Sequence, residues 1–152
     1  MTTKAICIDA EASDIWATLA SFESIREWAP NVDHAALLNE LSEGLGMSRR
    51  IQQGSTVVIE TVTVWDPPQC LEYRIDGLPT RIGTVTNRWE IAIHEGHCSV
   101  GLTASAGGDA KGPAKLAGRA VAVALGRINA TMLNGLKAYL ETGDLDQERE
   151  ST

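Results

Sequence analysis

Hydrophobic positions change their spacing several times along the chain, and each spacing predicts a different element. Lys4, Ile6 and Ile8 alternate with Ala5, Cys7 and Asp9, the period of a short strand from Lys4 to Asp9. Ile15, Trp16, Leu19 and Phe22 then recur at helical spacing, with Ser13 or Asp14 placed to cap the helix. The segment Trp28-Ala29-Pro30-Asn31-Val32-Asp33-His34 breaks the pattern, and Pro30 marks a loop leading to an extended piece around Ala35 to Leu41. From Met47 to Ala106 strands follow one another, divided by turn signals at Gln53-Gly54-Ser55, Asp66-Pro67-Pro68, Gly77-Leu78-Pro79 through Gly83, and Glu95-Gly96. Connections this short leave no room for crossover helices, so the strands form an antiparallel meander. Gly107-Gly108 and Gly112-Pro113 open a final helix, and Gly143 stands just past its end. On it Ala117, Val121, Ala124, Leu125, Ile128, Met132, Leu136, Tyr139 and Leu140 share one arc, opposite Lys115, Arg119, Lys137 and Glu141. The expected order is strand, short helices, five or six antiparallel strands and one long amphipathic helix: an α+β domain.

The hairpin at Gly54 carries the most chemistry. A two-residue Gly54-Ser55 loop suits a type II′ turn and pairs Gln53 with Thr56, after which Ile51 faces Val58, Arg49 faces Glu60 and Met47 faces Val62. Alternation then puts Met47, Arg49, Ile51, Val58, Glu60, Val62 and Val64 on one face. Ser48, Arg50, Gln52, Thr61 and Thr63, with Val57, Ile59 and Trp65, take the other. The first set is the more apolar and is assigned to the concave side under the long helix, which leaves an Arg/Glu pair among aliphatic residues. With the faces reversed, the same pair is a surface ion pair worth under roughly 1 kcal/mol.

The later strands extend the inner face with Leu71, Tyr73 and Ile75, then Val85, Asn87, Trp89, Ile91 and Ile93, then Cys98, Val100, Leu102 and Ala104. A few polar groups (Arg49, Glu60, Tyr73, Asn87 and the Trp89 indole) in an apolar concavity match the composition of a small-molecule site. Taken singly, Tyr73 or Trp89 reads rather as a core aromatic with a locally bonded tip.

Composition narrows the classes. The 152 residues suit one domain, assigned to 1–143, and the 43% hydrophobic and 22% charged content is that of an ordinary globular protein. The net charge of −7 and the want of a basic groove argue against nucleic acid and anionic membrane surfaces. From Glu141 onward five acidic residues face Arg149 alone, so 144–152 reads as a solvated, disordered acidic tail. No run is long and apolar enough to insert in a membrane and no secretory pattern opens the chain, so a cytoplasmic location is expected. Cys7, Cys70 and Cys98 have no C-x-x-C spacing and predict neither disulfides nor a zinc ribbon. His94-Glu95-Gly96-His97 lies on a tight turn without the helical spacing of a zinc site, so no metal is expected. His34, beside Asp33, is either an acid/base at a cavity mouth or an exposed loop residue.

Ile8-Asp9-Ala10 with Asp14-Ile15-Trp16, Phe22 and Trp28-Ala29-Pro30 begin a longer series. It continues through Gly44-x-Gly46-x-x-Arg49, Glu60-x-Val62-x-x-Trp65-Asp66-Pro67-Pro68, Leu71-x-Tyr73, Leu78-Pro79 and Trp89. In order and spacing this series resembles the polyketide cyclase/dehydrase branch of the SRPBCC (START-like) superfamily, over nearly the whole chain to about Glu141. The resemblance implies a helix-grip fold, in which a curved antiparallel sheet wraps a long C-terminal helix around an internal cavity for a hydrophobic ligand. Members include cyclases, lyases, lipid carriers and receptors, so the fold leaves the activity open.

The leading expectation is a binder of a small hydrophobic molecule, polyketide-, aromatic-, steroid- or lipid-like, needing no cofactor. Arg49, Glu60, Tyr73, Asn87, Trp89, Trp28, Met47, Val62, Ile128 and Met132 form its candidate ligand-binding set. The alternative is a cyclase, dehydratase or isomerase with Glu60 as general base and Arg49 stabilising an oxyanion. A protein-partner module is the third reading.

Overall fold

The computed structural model describes residues 1–78, 83–106 and 113–142. The expected turns at Pro79 and at 107–112, the Gly143 stop and the 144–152 tail lie outside the described residues, as do the side chains of Lys115 and Ala117. Seven strands form one antiparallel sheet in the order β1-β7-β6-β5-β4-β3-β2: β1 Thr2–Ile8, β2 His34–Leu37, β3 Ser48–Gln53, β4 Thr56–Asp66, β5 Cys70–Asp76, β6 Val85–His94 and β7 His97–Ala106. Helix α1 (Ala12–Ala20) and a 3-10 helix (Phe22–Glu27) follow β1, and α2 spans Pro113–Thr142. This is the helix-grip architecture, with α2 laid over β1 and β7. Among the described residues, no helix is long and apolar enough to cross a membrane.

Turn chemistry sets the register. Gly54 has φ 58° while Ser55 stays at negative φ, which fits the expected type II′ loop, and Gln53 pairs with Thr56, Ile51 with Val58 and Arg49 with Glu60. At the next tight hairpin Glu95 and Gly96 have φ 48° and 83°, a type I′ pattern that leaves His94 opposite His97. Both histidines are exposed.

Four local expectations need correction. First, Val62 pairs with Tyr73 but Val64 pairs with Glu72, because Thr63 is an extra, bulged residue in β4. The bulge reverses the alternation beyond it, so Trp65 rather than Val64 joins the core, with its ring 5.1 Å from Trp16. Second, α1 begins at Ala12; Glu11 occupies the cap position without a side-chain cap, and Asp14 lies in the first turn, where its charge favours the helix dipole. Third, Ile93 sits near the β6–β7 hairpin tip and is 66% exposed. Fourth, the buried line of α2 runs through Gly126, Asn129, Met132, Leu133, Gly135 and Leu136, with Ala124 exposed. The predicted arc follows side-chain hydrophobicity, whereas the helix makes its closest approach where it has least side chain.

Gly135 shows why. An added Cβ there falls inside contact distance of the Trp28 carbonyl oxygen and 2.5 Å from Pro30 Cδ, neither of which can swing aside. At Gly126 the nearest atom is Thr2 Cγ2 at 2.7 Å, the end of a side chain that can rotate. Helix propensity alone favours alanine over glycine by about 1 kcal/mol. The clash outweighs it at position 135, since overpacking against fixed backbone costs about 1–3 kcal/mol or more. Gly135→Ala is therefore expected to lower the thermal midpoint by several degrees and Gly126→Ala to change it little. A scanning-calorimetry comparison in which Gly135→Ala is stabilised removes the close-packing explanation.

Candidate functional site

The Arg49/Glu60 pair lies on the concave side of the sheet, where the two residues are 2% and 7% exposed. Arg49 Nε and Nη2 both donate to Glu60 Oε1, at 2.8 and 2.7 Å, and Nη1 donates to the Phe22 carbonyl at 3.0 Å. The guanidinium stacks over the Phe22 ring with Cζ 3.6 Å from the centroid, and the Tyr73 ring centroid is 5.0 Å away. Arg49 thus meets two requirements of a buried cation, hydrogen-bonded donors and aromatic faces. Because both bonds converge on Oε1, Glu60 Oε2 has no partner among the described residues.

A second polar chain runs beside the pair. Trp89 Nε1 donates to the Tyr73 hydroxyl at 3.2 Å, Asn87 Nδ2 donates to the same oxygen at 3.5 Å, and Asn129 Nδ2 of α2 donates to Asn87 Oδ1 at 3.1 Å. The chain ties the long helix to the sheet. It leaves Asn129 Oδ1, a buried atom, without a partner. Burial pushes the Tyr73 phenol up to about 12, with the nearby Glu60 carboxylate adding to the shift and Arg49 opposing it.

Above these groups lies a hollow of about 120 Å³. Its deep wall holds Glu60, Asn87, Asn129 and Met132; Asn31, Gln53 and Thr56 stand near its mouth, and Ile51, Val58, Ile75, Leu125 and Ile128 supply the apolar sides. The hollow exists because α2 packs on β1 and β7, leaving the opposite half of the concave face under Leu125 to Met132 unfilled. Of the ten candidate residues, Glu60, Asn87, Ile128 and Met132 line it. Arg49, Tyr73, Trp89, Trp28, Met47 and Val62 are buried in the packed core outside the lining, the Trp28 and Trp89 rings meeting edge to face at 5.6 Å. Sequence reasoning missed Asn129 and Asn31. Asn129 lies three residues before Met132 and one after Ile128, both on the predicted arc, and that spacing was the available signal. His34 is exposed on β2 and does not line the hollow, and the described residues hold no cluster of three metal-ligating side chains.

With this geometry the comparisons with known proteins agree. Residues 2–141 match the family model for "Polyketide cyclase / dehydrase and lipid transport", and the chain belongs to that family. Comparison with curated protein sequences gives no match. Among solved structures, a Thermobifida fusca protein is similar over 91% of this chain and 93% of its own, at 23% identity and a TM-score of 0.74. The di-domain ARO/CYC BexL from the BE-7585A biosynthetic pathway matches over 93% of this chain and 50% of its own, at 22% identity and TM-score 0.72. The di-domain ARO/CYC StfQ from the steffimycin biosynthetic pathway matches over 99% and 51%, at 13% identity and TM-score 0.73. Identities this low establish the shared fold, and the chain corresponds to about half of each di-domain protein.

The phenol of Tyr73 yields a pH prediction. Its folded value of about 12 exceeds the ordinary value of 10, so the unfolded chain ionises first as pH rises. Stability is whole below pH 10 and falls between about 10 and 12, by roughly 2–3 kcal/mol in all. Phenolate absorbance is expected to show Tyr73 titrating near 12, with denaturant midpoints dropping over the same interval. A Tyr73 phenolate forming at 10 in the folded protein contradicts the buried polar chain.

Proposed function

We propose that the protein binds a small apolar ligand in the hollow between β3–β6 and α2, with its polar end toward Glu60 and Asn129. The observation that carries this reading is an apolar hollow whose deep wall keeps unpartnered polar atoms, the composition expected of a ligand site. Family membership supports it at the same level of detail. The size restricts the occupant. Pockets for drug-sized ligands span roughly 300–1,000 Å³, whereas a cavity of about 150 Å³ accommodates benzene. At about 120 Å³ the hollow is of the smaller kind, suited to one small ring or a short acyl chain.

A second reading, ring closure, dehydration or isomerisation, is favoured by Glu60 Oε2, a carboxylate oxygen facing no protein donor at the wall of the hollow and so free to take a proton from a ligand. Arg49 contributes to it by holding Glu60 in place. Its guanidinium is turned to Glu60 and the Phe22 carbonyl and lies outside the lining, so oxyanion stabilisation by Arg49 has no geometric support. Glu60→Gln separates the readings once a substrate is found: lost turnover with retained binding marks catalysis, and lost binding alone marks a carrier.

Toluene is the simplest probe of the hollow. Added to the protein, it is expected to shift the amide resonances of Ile51, Val58, Ile75 and Met132, and Ile128→Trp, which fills the space, is expected to abolish those shifts while cooperative unfolding is retained. Absence of shifts in the wild type, or identical shifts in the filled variant, overturns the ligand-binding reading.

A further inference from the structure

The polar atoms that the hollow offers are of one kind. Glu60 Oε2 has no partner among the described residues, and Asn129 Oδ1 and Asn31 Oδ1 are buried and unpartnered. All three residues line the hollow, and all three atoms are acceptors. The amide nitrogens nearby each already serve one partner. Asn129 Nδ2 serves Asn87, Asn87 Nδ2 serves Tyr73, and Asn31 Nδ2 serves Gln53 Oε1 at 3.3 Å. Arg49 is turned to Glu60 Oε1 and the Phe22 carbonyl. Each of these amide nitrogens keeps a second N–H, and Gln53 and Thr56 add donors near the mouth, where Thr56 is exposed and Gln53 half-buried; the three oxygens have no partner among the described residues.

We infer that the ligand enters with a neutral hydroxyl foremost, which donates its one proton to an acceptor oxygen of that wall, Glu60 Oε2 or Asn129 Oδ1, and that an ether or carboxylate on the same ring is disfavoured. This rests on the ligand-binding reading and goes beyond it by assigning the ligand's polar group. An incoming carboxylate brings a further negative charge and no proton to the acceptor oxygens of the deep wall, and a carbonyl or ether likewise leaves them unpaired. A hydroxyl supplies a proton to one of them, and a bond to a carboxylate is of the stronger, charge-assisted kind. A cationic ligand gains less, because Arg49 already balances the charge of Glu60 at 2.7 Å.

Four probes sharing one skeleton test this by amide NMR titration of the wild-type protein: toluene, p-cresol, 4-methylanisole and 4-methylbenzoate. p-Cresol is expected to bind about ten-fold tighter than 4-methylanisole and to shift the Asn129 side-chain amide, because a buried acceptor left unpaired is costly. 4-Methylbenzoate is expected to give no saturable shift. If toluene binds and p-cresol binds no tighter than the ether or the carboxylate, the hydroxyl rule is overturned while the ligand site stands. If none of the four shifts the lining residues, the ligand site falls and the rule falls with it.

Discussion

The guanidinium–carboxylate contact of Arg49 and Glu60 constrains the rest of the molecule. Two charges taken out of water cost several kcal/mol each unless their bonds are completed, and removing one partner of a buried pair typically costs about 3–5 kcal/mol. Completion here needs four elements at once: β3 for Arg49, β4 for Glu60, the 3-10 helix for the Phe22 carbonyl and ring, and β5 for the Tyr73 ring. A one-residue slip of β3 on β4 would send these side chains to opposite faces, so the pair and the Gly54 turn enforce the same register. The cost of a buried ion pair is thus linked to a defined concave surface.

The helix complements that surface unevenly. Gly126 and Gly135 let α2 approach Thr2 and the Trp28–Pro30 segment, drawing it toward the β1 edge. On the other side, the larger residues Leu125, Ile128 and Met132 bridge over β3 to β6 without filling the space. The hollow follows from that asymmetry. Asn129, between the packed and hollow halves, bonds to Asn87 on one side and leaves Oδ1 unpartnered. Binding specificity in such a site comes from unsatisfied buried atoms more than from apolar area, which many ligands satisfy equally.

Much of this is legible in the amino-acid sequence, and the failures share a cause. Gly54-Ser55 has turn chemistry with one natural register, so the Arg49–Glu60 partnership follows from the sequence alone, as do the inward faces of β5 and β7. Thr63 carries no mark of a bulge: Val62, Thr63, Val64 and Trp65 are all good strand formers, and the ladder shift depends on how β5 meets β4. Hydrophobic periodicity locates α2 but misplaces its buried line, because Gly126, Asn129 and Gly135 are buried for reasons other than hydrophobicity. Burial of Arg49 and Tyr73 is foreseeable from alternation. Their separation from the hollow is not, since it depends on the 3-10 helix covering them with Phe22.

A double-mutant cycle on Arg49→Met and Glu60→Leu, read by denaturant unfolding, tests whether a buried, mutually completing pair underlies the fold. Each single substitution is expected to cost about 3–5 kcal/mol, and the double variant to recover at least about 2 kcal/mol of the summed loss. Single losses below about 1 kcal/mol that simply add are the behaviour of a solvated surface pair. That result would contradict the burial on which both the register and the hollow depend.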